Sequence, residues 1–114
     1  MGRIYKIVGA QEWRAALASG VFAGSAVDLA DGYIHFSDAA QAPETAAKWF
    51  SRAPDLILVA VETAALGAAL KWEPSRGGQS FPHLYAPLPL EAVLWAKPLP
   101  LGPDGAHRFP DLEA

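Results

Sequence analysis

The segment Leu56–Glu62 reads Leu-Ile-Leu-Val-Ala-Val-Glu and is an almost unbroken apolar run. A short continuous run rich in β-branched residues is typical of a strand that is buried on both faces. Such a strand needs a neighbouring strand on each edge and a covering layer on each face. We therefore place Leu56–Glu62 at the centre of a sheet, and the rest of the chain has to supply its surroundings.

The size and composition of the chain are sufficient for one core. Its 114 residues are 52% hydrophobic and 18% charged, which predicts a single folded domain over residues 1–114. We expect the core to lie within about residues 3–98. A tail rich in proline and glycine follows over residues 99–114.

Helical and extended patterns alternate along the chain. Ile4–Val8 is predicted to be the first strand. Gln11–Ala18 is predicted to be a helix that Gly20 ends, and a second helix is predicted to run from Pro43 through Phe50. The stretch from Val21 to Gly32 is predicted to be an irregular connection. The other predicted strands are Tyr33–Ser37, Lys71–Pro74, Phe81–Tyr85 and Ala92–Lys97. This order indicates an α+β fold with two main helices on a central mixed, largely antiparallel sheet.

Charge and residue usage argue against several classes of protein. The net charge is -3 and the nine lysines and arginines are scattered, so the sequence lacks the basic patch with which proteins bind duplex nucleic acid. The absence of cysteine excludes disulfides and thiolate chemistry. No segment has the pattern of a signal peptide or a membrane span. We expect a cytoplasmic protein that is a monomer or a weak homodimer.

The segment Asp31–Asp38 carries the first candidate site. In a strand, Tyr33, His35 and Ser37 would point to one side while the alternating apolar residues point to the other. A polar row backed by an apolar row is what a ligand site on a sheet requires. The alternative is an edge strand whose solvent face happens to carry a tyrosine and a histidine.

A second aromatic and histidine row follows later in the chain. Phe81, His83 and Tyr85 alternate in the same way. They come after a Trp72-Glu73 pair and a loop in which Arg76 precedes two glycines. In the alternative interpretation, Glu73 is a solvated charge or a partner of Arg76. The remaining tryptophans are predicted to be core residues: Trp13, Trp49 and Trp95.

The known catalytic signatures are absent. The three histidines and the carboxylates show no spacing typical of metal ligands, so we predict no metal site. Ser37 does not lie in a Gly-x-Ser-x-Gly turn, which argues against a hydrolase of that kind.

Four segments together resemble a bacterial family known only as domain of unknown function 952, over about Arg3 to Pro110. The segments are Ile4–Ile7, Asp31–Ser37, Leu70–Gly78 and Phe81–Pro89. A more distant similarity links the His35 strand and the strand Leu56–Glu62 to the RNA 2'-phosphotransferases of the ADP-ribosyltransferase fold, which use NAD. The resemblance implies that fold, with His35 and Ser37 matching the second-strand motif and Glu73 near a late glutamate. The first strand has Tyr5 and Lys6 near the place where those enzymes carry a histidine that binds the NAD ribose.

This resemblance implies a pocket for NAD or a related nucleotide. Cleavage of NAD requires stacking of the nicotinamide, hydrogen bonds to the ribose and a carboxylate near the bond that breaks. The catalytic residues would be His35 and Glu73. The residues that bind ligand would be Ser37, Trp72, Arg76, His83 and Tyr85. Two alternatives remain open. One is a binding module without turnover. The other is an interaction protein that uses its proline-rich segments 82–89 and 98–110.

Overall fold

A computed structural model describes residues 2–113, apart from the side chain of Arg76. The apolar run forms β4 (Leu56–Glu62), which pairs antiparallel with β1 (Arg3–Gly9) on one edge and with β8 (Val93–Leu99) on the other. The four side chains from Leu58 to Val61 are completely buried. The predicted central position of this strand is therefore confirmed.

The α+β class and the largely antiparallel pairing are confirmed, but the described strands form three antiparallel sheets in place of the single central sheet that was predicted. The second is β3 (Ile34–His35), β6 (Ser80–Leu84) and β5 (Leu70–Pro74), with β6 in the middle. The third is a pair, β2 (Val21–Phe22) with β7 (Leu88–Pro89).

Pro82 explains why β3 is short. Phe36 donates a hydrogen bond to the Pro82 carbonyl (3.0 Å), but proline has no N–H with which to continue the ladder. The next residue, Ser37, pairs instead with Tyr5 on β1 through backbone hydrogen bonds of 2.7 and 2.9 Å. This bridge holds the β3–β6–β5 sheet against the β1–β4–β8 sheet.

The two predicted helices are present as α1 (Ala10–Ser19) and α3 (Ala42–Trp49). Gly20 ends α1 in the left-handed conformation (φ 91°), where glycine carries no steric penalty. Pro43 lies in the first turn of α3, where its missing N–H costs nothing.

The prediction of an irregular connection between Val21 and Gly32 is wrong. That stretch contains β2 and a short helix, α2 (Ala26–Asp31). The buried residue of α2 is Asp28, while Val27 and Leu29 are exposed. The helix therefore lacks the apolar stripe from which a helix is normally recognised in a sequence.

Apolar side chains pack on both faces of the β1–β4–β8 sheet. One face, with Ile4 and Val8, packs against Trp13 and residues of the other sheets. The opposite face, with Tyr5 and Leu58, packs against α3 and the C-terminal tail. The domain is a single α+β unit in which the tail covers part of the core.

The predicted tryptophan positions are only partly correct. Trp13 is buried in the apolar cluster on one face of the β1–β4–β8 sheet. Trp95 is partly exposed and packs against the cluster on the opposite face. Trp49 is 63% exposed, so the prediction that it is a core residue is wrong. It is the last residue of α3.

Candidate functional site

A cavity of about 490 Å³ lies where β1, β3, β6 and the helices α2 and α3 meet. We call it the His35 cavity. Of the predicted site residues, it is lined by His35, Ser37 and His83. The Ser37–Tyr5 bridge and the direct register of His35 opposite His83 bring these residues together. Its volume is within the range of pockets that hold small organic molecules.

A buried ion pair lies beside the cavity. The Lys6 ammonium on β1 donates to both carboxylate oxygens of Asp28, at 3.0 and 2.9 Å. Asp28 is only 2% exposed. Its carboxylate also accepts hydrogen bonds from the backbone N–H and the hydroxyl of Ser25, at 2.8 and 3.0 Å. These contacts give the buried Asp28 carboxylate charged and polar partners. Without them, burial of its charge would destabilise the fold strongly.

The same carboxylate orients His35. Asp28 Oδ1 lies 2.6 Å from His35 Nδ1 and accepts from the His35 backbone N–H at 3.1 Å. Burial acts to raise the pKa of Asp28, but the hydrogen bond from His35 and the charge of Lys6 outweigh it and hold this pKa well below its usual range. Burial lowers the pKa of Lys6, and the attraction of Asp28 opposes that change. Asp28 is therefore ionised at neutral pH.

The second ring nitrogen of His35 faces another carboxylate. Nε2 lies 3.0 Å from Asp31 Oδ2, and the Asp31 side chain is 48% exposed. Ionised carboxylates only accept hydrogen bonds. Each of these contacts is a hydrogen bond when the ring nitrogen that it involves carries hydrogen.

Tyr33 lies among the aromatic rings of the site. Its ring centroid is 4.6 Å from that of His35, 4.2 Å from that of His83 and 5.2 Å from that of Tyr85. Burial and the nearby carboxylates of Asp31 and Glu73 raise the pKa of the Tyr33 hydroxyl. Tyr33 therefore remains a neutral hydrogen-bonding group with a flat apolar ring.

Glu73 connects two other predicted residues. Its Oε1 lies 2.8 Å from His83 Nδ1 and accepts from the Tyr85 hydroxyl at 2.7 Å. The hydrogen bond from His83 is the main cause that lowers the pKa of Glu73. The hydrogen bond to Glu73 raises the pKa of Tyr85 to about 12. Glu73 and Tyr85 do not line the His35 cavity but contact it through His83 and Tyr33.

Ser37 and Trp72 differ in their relation to the cavity. The Ser37 hydroxyl lines it and is hydrogen-bonded to the Thr45 hydroxyl at 2.9 Å. Trp72 lies opposite Pro82 in the register of β5 and β6, so it is on the other face of the sheet from Glu73 and His83. The structure does not bring Trp72 to the site. The predicted role of Arg76 lies outside the described part of the chain, because its side chain is not described.

Sequence reasoning did not select Lys6, Asp28, Asp31 or Trp49 as site residues, although all of them line or support the cavity. One available signal was the spacing of Ser25 and Asp28, which is that of an N-terminal helix motif. It would have indicated α2. The pairing of Asp28 with Lys6 spans 22 positions, and nothing local indicates it.

Two further features of the described residues concern metal ligands and the length of apolar helices. Between residues 2 and 113, no group of three or more histidine, aspartate or glutamate side chains could hold a metal ion. No helix in that range is both long and apolar enough to span a membrane.

Comparisons with known proteins agree with this fold. The crystal structure of protein CC0527 from Caulobacter crescentus, a structural genomics target, is 56% identical, with 93% of each chain covered and a TM-score of 0.89. The solution NMR structure of CC0527 is 57% identical over 93% of this chain and 91% of that one, with a TM-score of 0.84. No curated protein matches the sequence. Residues 7–96 match the model of the family described as protein of unknown function (DUF952), and the chain therefore belongs to that family.

Proposed function

We propose that this domain binds a nucleotide of the NAD type in the His35 cavity, within an ADP-ribosyltransferase-like fold. The observation that carries the proposal is the convergence of His35, Ser37 and His83 on one cavity, from strands of the β3–β6–β5 sheet and from its bridge to β1. Polar groups that meet in a cavity lined mainly by apolar and aromatic side chains are typical of small-molecule sites.

The arrangement of the lining favours a ligand with a planar ring and a sugar. Tyr33 offers a flat ring inside the cavity, and Trp49 and Phe50 offer apolar surface on the side of α3. The Ser37 hydroxyl is a donor and acceptor of the type that binds sugar hydroxyls. In this proposal Tyr33 stacks on the planar ring, and Trp72 takes no part because it lies on the other face of its sheet.

Titration calorimetry with NAD and with ADP-ribose at millimolar concentration tests the proposal. We expect binding that raises the melting temperature. Ser37→Ala and Tyr33→Ala should each weaken it about ten-fold, the loss of one good hydrogen bond or stacking contact. Trp72→Ala is the matched control and should leave binding unchanged. An absence of heat and of any thermal shift with both ligands would remove the basis of the proposal.

A second candidate is a binding module without turnover. One observation favours it: each carboxylate close to the cavity already has internal partners, Asp31 with His35 and Glu73 with His83 and Tyr85. An enzyme of this kind needs a carboxylate that reaches the breaking bond. Release of nicotinamide from bound NAD, abolished by Glu73→Gln with binding retained, would favour the enzyme. Binding without release would favour the module.

A further inference from the structure

The two carboxylates on His35 differ greatly in how tightly they are held. The Asp28 side chain, on Nδ1, is 1% exposed and is tied to Lys6 and Ser25 as well. Asp31, on Nε2, is 48% exposed, and His35 is the only partner found for its carboxylate among the described residues. The imidazole is therefore fixed from the inside and held only loosely from the cavity side.

An exposed ion pair contributes little free energy, while a buried one is costly to break. Asp31 is the last residue of α2 and is followed by Gly32. Its side chain can rotate into solvent without disturbing the sheet. Loss of the Asp31 contact would leave His35 Nε2 facing the cavity, with Lys6 also among the lining residues.

We propose that Asp31 occupies an anion subsite, and that a phosphate or carboxylate oxygen of the ligand replaces it on His35 Nε2. The nucleotide identity of that ligand rests on the proposed function, but the subsite itself does not. Without Asp31, Lys6 and the His35 ring remain beside the cavity with Asp28 as their carboxylate partner. In the absence of ligand, the Asp31 carboxylate thus keeps His35 in the orientation that an anionic group of the ligand requires.

Inorganic pyrophosphate is the probe for this subsite, because it has the anionic oxygens without base or ribose. We expect Asp31→Ala to bind pyrophosphate about five-fold tighter than the natural chain, because one partly exposed ion pair contributes an effect of about this size. The pyrophosphate affinity of Asp31→Asn should lie between those of Asp31→Ala and the natural chain, because the asparagine amide is a weaker hydrogen-bond acceptor for His35 than the carboxylate. Glu91→Gln removes an equal charge at an exposed residue outside the cavity lining and should change nothing.

Nitrogen chemical shifts of the imidazole provide an independent readout. On addition of pyrophosphate to the natural chain, the Nε2 resonance of His35 should move more than the Nδ1 resonance, which remains with Asp28. If Asp31→Ala binds no tighter than the Glu91→Gln control, or if only Nδ1 responds, the inference is overturned. If ADP-ribose fails to bind while Asp31→Ala still gains affinity for pyrophosphate, the subsite stands and the nucleotide proposal fails.

Discussion

At the scale of single residues, Asp28 combines two roles. It binds an ammonium, an imidazole, a hydroxyl and two backbone N–H groups while being almost completely buried. Each contact satisfies a donor that the fold places beside the cavity. The same carboxylate therefore neutralises Lys6 and fixes the orientation of His35.

We expect Asp28→Asn to lower the free energy of unfolding by about 3–5 kcal/mol, because it leaves the Lys6 charge buried without a charged partner. Asp31→Asn, which alters an exposed pair, should cost less than about 1 kcal/mol. Urea denaturation measures both. In the double variant that combines Asp28→Asn with Lys6→Met, the loss of unfolding free energy should be smaller than the sum of the losses in the two single variants by about 1–3 kcal/mol. Additive costs would show that the pair is not coupled.

The ionisation of Asp28 also predicts an effect of acid. Its pKa is lower in the folded chain than its ordinary value of 3.8, so the unfolded chain binds its proton first as the pH falls. The stability contributed by the carboxylate is complete above about pH 4 and is lost progressively below it. The difference in unfolding free energy between the natural chain and Asp28→Asn should therefore shrink between about pH 4 and about pH 2.5. A constant difference would contradict this.

At the scale of elements, the short helix α2 brings both carboxylates to His35. Helices of this length are marginal on their own, and α2 is held by contacts at its start. Gly24, just before the helix, has φ 120°, and a Cβ there would lie 2.9 Å from the Cβ of Asp28. The close approach of the backbone to Asp28 therefore depends on a glycine.

Gly24→Ala should destabilise the fold by about 2–4 kcal/mol, from the strained backbone together with the clash against Asp28. Gly20→Ala is the comparison, because Gly20 also has positive φ but no atom within 4 Å of the added methyl group. It should cost only about 1 kcal/mol. Thermal unfolding measures the two, and equal losses would show that packing against Asp28 does not matter.

At the scale of the whole molecule, the C-terminal tail closes over the sheet. Phe109 and Leu112 pack against the apolar cluster that contains Tyr5. The Tyr5 hydroxyl donates to the Glu113 carbonyl at 2.6 Å and accepts from its N–H at 2.9 Å. The C-terminal tail is thus joined to β1, whose residue Tyr5 also lines the cavity.

We expect Tyr5→Phe to reduce the free energy of unfolding by about 1–2 kcal/mol, since it removes both hydrogen bonds to the tail. Arg3→Ala breaks the exposed ion pair between Arg3 and Glu113 and should cost less than about 0.5 kcal/mol. Chemical denaturation of the two variants provides the measurement. A larger loss for Arg3→Ala would mean that charge, and not the buried hydroxyl, holds the tail.

Local sequence patterns identified the elements whose residues carry their own signal. The apolar run of β4 and the good helix formers of α1 before Gly20 indicate structure through neighbours in the chain, and the pattern of Tyr33, His35 and Ser37 indicated one side of the site. The other features follow from how the chain packs. The pairing of Lys6 with Asp28, the exposure of Trp49 beside the cavity and the separation of Trp72 from Glu73 depend on contacts between distant segments. Local pattern cannot specify these contacts, because burial and charge pairing are properties of the packed chain.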